Sequence, residues 1–379
     1  MLVDLHAHYP MHLIPPERGT HAALTGWTSL RVRSKIVDLL SRVANYEGPG
    51  GDPGVTLELM RQGDVGALLS VLYSPFDEMD LSKKYGAPPD SAYFGRLLEQ
   101  LELVERDILQ HADEAQVVRS GADLDACLNE GRIALMHAVE GGFHLGPEAD
   151  VPANVAELAR RGVVSITLAH LFFRGVAANA PALPFLPEWL YRLLFPQPRG
   201  VGLTDVGTAA IRAMAEHRVL VDITHMHARA IDDTFALLDE LDPARDLPVI
   251  ASHMACRLGK LEYNMTDDQI SRVAARGGLL GVIDCQHYIW DGAKVPKPGS
   301  FQQSLERLCL HIDRVVEVTG GFDHAAIGSD LDGYIKPALT GIEHMGRMKQ
   351  LQAALTARYG ADHAAQICSG NALRVLRAR

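Results

Sequence analysis

Histidines and carboxylates stand at the ends of several apolar runs in this sequence. They are His6, His8, Glu140, His170, His225, His253 and Asp330. Each one alone has a plainer interpretation as a hydrogen-bonded core histidine, a solvated acid or a turn former. If the runs are strands of a (β/α)8 barrel, however, their C-terminal ends meet at one mouth, where catalytic groups converge. Imidazoles suit zinc and similar divalent metals, so the joint pattern predicts a metal site.

The chemistry that fits such a site is metal-assisted hydrolysis. A shared carboxylate can hold two metal ions with a water between them, and the ions lower the pKa of that water toward 7. Glu140 suits the bridging role. Asp330, in the segment GSDLDG, suits proton transfer to and from the reacting groups, with Asp332 as the alternative.

The elements that must position these residues repeat along the chain as a short β-rich run, a loop and a helical pattern. Eight strands are predicted, at Leu2–His8, Val65–Tyr73, Arg132–Glu140, Val163–His170, Arg218–His225, Pro248–His253, Gly278–Cys285 and Ala325–Asp330. Helices are predicted at Asp205–His217 and Asp267–Arg276, each preceded by a threonine N-cap. This alternation predicts a (β/α)8 TIM-type barrel with extra helices and loops. An open doubly wound sheet is the alternative, but no Gly-rich turn follows the first strand.

Composition and charge limit the function classes. The chain has 379 residues, 47% hydrophobic and 22% charged, with a net charge of −11. These values exclude general disorder and disfavour a nucleic-acid partner. Five scattered cysteines disfavour a disulfide framework. The start of the chain has no signal-peptide pattern and no apolar run is long enough to span a membrane, so we expect a cytoplasmic protein that forms a single domain over 1–379.

Motifs along nearly the whole chain resemble the membrane (renal) dipeptidase family of zinc metallopeptidases, in the amidohydrolase superfamily. They are DLHAH at Asp4–His8, HAVEGG at His137–Gly142, ITLAH at Ile166–His170, GLT at Gly202–Thr204, VDITH at Val221–His225, SHMACR at Ser252–Arg257, NMTDDQI at Asn264–Ile270, the segment His311–Gly333, and GNALRVL at Gly370–Leu376. Several such motifs in the family's order are highly specific.

The resemblance implies two Zn²⁺ ions and an amide bond of a dipeptide or related small molecule as the target. One ion would be bound by His6, His8 and Glu140, and the other by Glu140, His225 and His253. Asp330 matches the family's catalytic aspartate. His170 matches the histidine that binds the substrate carbonyl and stabilises the developing oxyanion.

Two residues depart from the family pattern. His8 replaces an aspartate, so the first ion loses a negative ligand, and we expect the site that contains His225 and His253 to be the more securely occupied. Tyr263 replaces the arginine that binds the carboxylate of a dipeptide, and a tyrosine cannot make that bidentate charged contact. Arg257 is close in sequence, and it either substitutes for this arginine or has a structural role.

Other functions stay open at the level of sequence. The same centre could serve an N-acyl amino acid deacylase or a lactonase, or the chain could be a non-catalytic accessory protein. The segment Leu171–Gly200 follows His170 and contains Phe172, Phe173, Phe185, Trp189, Tyr191 and Phe195. These rings either line a pocket for an apolar group, or lie on a short amphipathic helix that packs on the barrel or on a second subunit of a homodimer.

Overall fold

The computed structural model describes residues 1–13, 52–78, 85–183, 186–291, 299–333 and 338–378. Its parallel sheet has nine strands: β1 (Leu2–Ala7), β2 (Val65–Leu72), β3 (Ala115–Val117), β4 (Ile133–Glu140), β5 (Val163–Thr167), β6 (Leu220–Asp222), β7 (Val249–Met254), β8 (Leu279–Val282) and β9 (Ala325–Ile327). Strand β2 pairs with both β1 and β4, and β1 pairs with β9, so eight of the strands close a barrel. Strand β3 lies outside the ring, alongside the start of β4.

All eight predicted strands are present, and the (β/α)8 barrel is confirmed. The open-sheet alternative is wrong, because the β1–β9 and β2–β4 pairings leave no free edge in the ring. Several predicted strands extend too far at their C-terminal ends. His170 and His225, for example, lie three residues beyond the last paired residues of β5 and β6.

Helices surround the barrel. They are α1 (Leu57–Gln62), α2 (Ser91–Gln110), α3 (Gly121–Asn129), α4 (Val151–Arg160), α5 (Glu188–Leu194), α6 (Asp205–Glu216), α7 (Ala228–Leu241), α8 (Asp267–Ala274), α9 (Phe301–Thr319), α10 (Met348–Tyr359), α11 (Ala361–Ala365) and α12 (Asn371–Arg377), with short helical turns between some of them. Both predicted helices are observed as α6 and α8. Thr204 caps α6, and Thr266 forms a capping box with Gln269 at the start of α8. No helix in the described ranges is long and apolar enough to cross a bilayer.

The strands are buried on both faces, as expected for a parallel barrel covered by helices. All eight residues of β4 and all six of β1 and of β7 are buried. These strands are therefore rigid supports for the side chains that project from their C-terminal ends.

Two buried aspartates inside the barrel fix the backbone near those ends. The Oδ1 atom of Asp4 accepts hydrogen bonds from the backbone N–H groups of His6 and Ser329, both at 3.0 Å, which ties β1 to the segment after β9. Burial raises the pKa of Asp4 to about 6. Asp222 accepts from the N–H of Thr224 at 3.0 Å and of Ser252 at 3.1 Å, which ties β6 to β7.

Candidate metal centre and active site

Glu140, the last residue of β4, lies at the centre of a cluster of imidazoles. Its Oε1 atom is 3.4 Å from Nε2 of His6, 3.4 Å from Nε2 of His225 and 3.5 Å from Nε2 of His253. Its Oε2 atom is 3.5 Å from Nε2 of His8. The five residues predicted as metal ligands are therefore brought together around one carboxylate.

The two predicted catalytic residues lie against the same cluster. Nε2 of His170 is 3.4 Å from Oε2 of Glu140. Oδ1 of Asp330 is 3.2 Å from Nε2 of His8 and 3.8 Å from Nε2 of His6. The side chains of His170 and Asp330 can thus reach a group held at the centre.

The donor set fits a divalent metal. Within the described ranges, Nε2 of His6, Nε2 of His8 and Oε1 of Glu140 are buried without a hydrogen-bond partner. Nε2 of His225 faces Nε2 of His253 at 3.0 Å. Buried polar atoms normally have partners, so nitrogen and oxygen atoms that point at one another in this way are typical of ligands around a cation. Among the residues that the structure describes, three overlapping triads have ligand atoms within 4.8 Å of one another: His6, Glu140 and His253; His6, His8 and Asp330; Glu140, His170 and His225.

The electrostatics of the cluster suit metal binding. Burial lowers the pKa of His225 and holds the pKa of His253 well below its usual range, which favours the neutral imidazole that ligates metals. Burial by itself disfavours the charged form of Glu140, but the nearby charges of His170 and His6 outweigh it and hold the pKa of that carboxyl well below its usual range. The cluster therefore combines an anionic carboxylate with two imidazoles, those of His225 and His253, whose neutral form is favoured.

The backbone around the centre is strained. His225 and Asp330 both adopt left-handed conformations, with φ values of 66° and 56°, which residues other than glycine rarely do. Such strain concentrates at functional sites. Gly333 is required for a different reason: a Cβ atom there would lie 1.8 Å from Oδ1 of Asp330 and 2.7 Å from Nε2 of His8. Only glycine lets the chain pass this close to the two side chains.

Glu78 is a site residue that sequence reasoning missed. Its Oε2 atom is 2.7 Å from Nδ1 of His170 and accepts a hydrogen bond from the Tyr73 hydroxyl at 2.6 Å, while its Oε1 accepts from the backbone N–H of Phe172 at 2.9 Å. Burial disfavours the imidazolium form of His170, but the charges of Glu140 and Glu78 outweigh it and raise the pKa of His170 to about 9. Glu78 therefore fixes the ring of His170 and favours its charged form.

Asp332 is turned away from the centre. Its two carboxylate oxygens accept hydrogen bonds from the backbone N–H groups of Gly54 and Val55, at 2.9 to 3.0 Å. Of the two aspartates in GSDLDG, only Asp330 contacts the imidazoles that surround Glu140.

Tyr263 and Arg257 are both engaged within the protein. The Tyr263 hydroxyl donates to the carbonyl of His253 at 3.0 Å, and its ring stacks on that of Tyr288 with centroids 3.9 Å apart. The Arg257 guanidinium donates to the carbonyls of Asn264 at 3.0 Å and Glu262 at 2.6 Å. These contacts hold the loop between β7 and α8, and they use the Tyr263 hydroxyl proton and two of the five N–H donors of Arg257.

The aromatic segment after β5 contains the short helix α5. Tyr191 is buried, and its hydroxyl bonds to the Leu171 carbonyl and to the Asn179 amide. Trp189 is 68% exposed, on the opposite side of the helix. The Phe172 and Phe195 rings pack together, with centroids 4.6 Å apart, whereas Phe185 lies outside the described residues.

Residues 35–379 match the family model described as membrane dipeptidase, peptidase family M19. The chain belongs to this family. It is 28% identical over 352 residues to an uncharacterized dipeptidase of Schizosaccharomyces pombe, an alignment that covers 91% of this chain and 75% of the relative. It is 24% identical over 327 residues to the dipeptidase verJ of Clonostachys rogersoniana, an alignment that covers 84% of this chain and 74% of the relative.

Solved M19 structures share the fold. A crystal structure of dipeptidase AC superposes with a TM-score of 0.72 at 19% identity, covering 100% of this chain and 98% of that one. A metallopeptidase of Rhodobacter sphaeroides, liganded with a phosphinate mimic of L-Ala-D-Ala, superposes with a TM-score of 0.70 at 18% identity and the same coverage. The resemblance read from the motifs is confirmed, and the chain is an M19 metallopeptidase-family hydrolase.

Proposed function

We propose that this M19 family member hydrolyses an amide bond in a dipeptide-like small molecule and that it uses two divalent metal ions, Zn²⁺ in the first instance. The observation that carries the proposal is the convergence of four imidazoles on Glu140, with Asp330 against two of them and buried ligand atoms directed at one another. His6, His8 and Glu140 would hold one ion, and Glu140, His225 and His253 the other. Bound ions would act as Lewis acids on the scissile carbonyl and would acidify a water molecule.

The residues beside the ligands supply proton transfer and charge stabilisation. Asp330 is close enough to the cluster to take a proton at Oδ1 from the attacking water and to return it to the departing amine. His170, held by Glu78, presents its Nε2–H as a donor to the oxyanion that develops on the substrate carbonyl. Both roles need fixed geometry, which the buried contacts of Glu78 and the backbone at Asp330 provide.

For the substrate class, we propose an amide whose carboxyl end is blocked or uncharged. Tyr263 replaces the arginine, its hydroxyl is already bonded to a backbone carbonyl, and Arg257 is bonded to the β7–α8 loop. Tyr263 carries no charge, and two of the five N–H donors of Arg257 are committed to backbone carbonyls, which supports weaker binding of a terminal carboxylate than the family arginine gives. Lactones and N-acyl amino acids belong in the same substrate screen, because the proposed centre could also attack them.

The test compares one dipeptide sequence with a free and with an amidated C-terminus, in wild type and in Tyr263→Arg. We expect the wild type to accept the amide at least as well as the acid. Restoring an arginine should shift the ratio of kcat/KM toward the free acid by about 10- to 10²-fold, because a charged hydrogen bond contributes about 1.5–3 kcal/mol. Tyr288→Phe, which keeps the stacked ring, is the matched control. A wild-type preference for the free acid that Arg257→Ala abolishes would contradict the proposal.

The homodimer and the cytoplasmic location stay predictions from the sequence, as does the single domain over 1–379. Light scattering of the purified protein tests the first. The side chains of α5 that the structure leaves most exposed, Trp189 and Leu193 at 68% and 69%, are the positions to change if a dimer is found.

A further inference from the structure

We infer that the hydroxyl of Ser252 couples the two metal sites by holding one histidine ligand of each. Ser252 lies in β7 directly before His253 and is buried. Its Oγ atom is 2.9 Å from Nδ1 of His6 and 3.0 Å from Nδ1 of His253. The inference rests on the metal centre proposed above, in which His6 binds one ion and His253 binds the other.

A count of donors and acceptors gives the direction of each hydrogen bond. Nε2 of His6 and Nε2 of His253 both point at Glu140, so these are the atoms available to a metal. A neutral imidazole that ligates through Nε2 carries its proton on Nδ1. Both Nδ1–H groups then donate to Ser252 Oγ, whose two lone pairs accept them.

The proton of the Ser252 hydroxyl can then be donated only to a group other than the two histidines. Oγ1 of Thr224 lies 3.5 Å from Ser252 Oγ, and Thr224 Oγ1 in turn donates to Oδ1 of Asp222 at 2.6 Å. The chain of donors therefore ends on a buried carboxylate. This order stabilises the state in which both imidazoles keep Nε2 free.

Ser252 is distinctive among the groups around the proposed ligands. Nδ1 of His8 and Nδ1 of His225 are buried and have no partner in the described part of the chain. Metal-ligating histidines usually donate their second N–H to a carboxylate, a carbonyl or water, and removal of that acceptor typically costs 10- to 100-fold in metal affinity. Here one hydroxyl serves two ligands, so its loss should weaken both sites together.

The backbone of Ser252 is held independently of its hydroxyl. Its N–H donates to Asp222 at 3.1 Å, and its carbonyl packs so closely on Gly281 and Gly328 that a Cβ at either glycine would lie 1.9 or 1.7 Å from it. Ser252→Ala keeps these contacts, so the substitution removes the hydroxyl alone.

The test measures the two Zn²⁺ dissociation constants of the metal-free protein by competition with a chromophoric chelator. For Ser252→Ala we expect both constants to rise by about 10- to 100-fold. The visible absorption spectrum of the Co²⁺-loaded variant should also change, while the Tm of the metal-free protein stays near that of the wild type. Ser70→Ala is the matched control, because Ser70 is a buried strand serine whose Oγ has no partner among the described residues. It should change neither constant.

Each other outcome is decisive. A rise in only one constant would show that the hydroxyl supports a single site, and unchanged constants would show that it supports neither; either result overturns the inference. A wild-type protein that binds no divalent metal would instead overturn the proposed centre. If Ser252→Ala does not fold, Thr224→Val removes the acceptor of the hydroxyl proton, and both constants should then rise, by less than for Ser252→Ala. Unchanged constants in that variant would overturn the inference.

Discussion

Asp330 lies between the imidazoles of His6 and His8 and is held there by a left-handed backbone. If it moves the proton in hydrolysis, Asp330→Asn should lower kcat by about 10²- to 10⁴-fold, the usual contribution of general acid–base catalysis. Steady-state kinetics on the best substrate from the screen, with metal content measured on the same samples, checks this.

Asp332→Asn is the matched control for that experiment. Its carboxylate accepts hydrogen bonds from backbone groups of Gly54 and Val55, so the substitution should affect stability and leave kcat close to that of the wild type. If Asp330→Asn keeps its turnover while Asp332→Asn loses it, the proton-transfer role has been given to the wrong residue.

Glu78 contacts His170, and we expect it to act on the reaction through that residue rather than on the substrate. Glu78→Gln keeps the shape of the side chain but removes the charge that favours the imidazolium form of His170. We expect kcat to fall by about 10- to 10²-fold, less than the 10²- to 10³-fold cost of removing an oxyanion donor outright. A double-mutant cycle with His170→Ala checks the mechanism: the double variant should be no worse than His170→Ala alone. Additive losses would mean that Glu78 acts by another route.

At the scale of residues, the sequence predicted those site residues that stand at the C-terminal end of a strand. Glu140, His225, His253 and Asp330 each follow an apolar run, and a barrel brings such residues together whatever the detailed geometry. Glu78 could not be found in this way. It lies in a short turn after β2, and its partner His170 is 92 residues further along the chain, so only the folded loop geometry joins them.

The pairing of β4 with β2 and β5 encloses a histidine that has no role in the proposed mechanism. His137, in the middle of β4, is fully buried, and neither ring nitrogen has a partner within the described ranges. Burial lowers its pKa to about 4. An unfolded histidine titrates near 6.5, so the unfolded state takes up the proton first as the pH falls. The stability associated with neutral His137 is therefore complete above about pH 6.5 and is lost between there and pH 4.

We expect His137→Leu to flatten the pH dependence of stability. Between pH 7 and pH 5 the wild type should lose about 2 kcal/mol of unfolding free energy through this group, and the variant should not. Urea unfolding of both proteins at the two pH values gives the change in unfolding free energy for each. The difference between these two changes is the contribution of His137, because the contributions of the metal centre are the same in both proteins and cancel. An equal loss in the two proteins would show that His137 takes up no proton on unfolding in this range.

At the scale of elements, the sequence predicted the barrel strands because several of them are continuous apolar runs, as expected for parallel strands that are covered on both faces. Strand β3 was missed, since Ala115–Val117 is only three residues long and only one of them is buried. The predicted strands that included His170 and His225 were too long. The residues after β5 and β6 no longer pair with the neighbouring strands, and their side chains point into the mouth of the barrel. The hydrophobicity of the sequence does not show where this pairing ends.

For the whole molecule, removal of metal should lower stability, because ions that bind only the folded state stabilise it by mass action. At a free metal concentration 100-fold above the Kd, each site contributes about 2.7 kcal/mol. Treatment with a chelator should therefore lower the Tm, and added Zn²⁺ should restore it.

We expect the site of Glu140, His225 and His253 to lose its ion last, because His8 replaces a negative ligand in the other site. Elemental analysis during stepwise metal removal tests the order of loss, and calorimetry on the same samples tests the effect on the Tm. A Tm that does not change on complete metal loss would contradict the prediction that metal stabilises the fold.

The pairing of β1 with β9 has a consequence for the order of events during synthesis. Asp4 and Ile327 are register partners about 320 residues apart, and the imidazoles of His6 and His8 meet Asp330 only through this pairing. At about 5–20 residues per second, β1 waits roughly 16–65 s on the ribosome before β9 exists. During that time its outer edge has no strand to pair with and is open to association with other nascent chains. Metal loading of the complete proposed centre would therefore follow only after translation of almost the whole barrel.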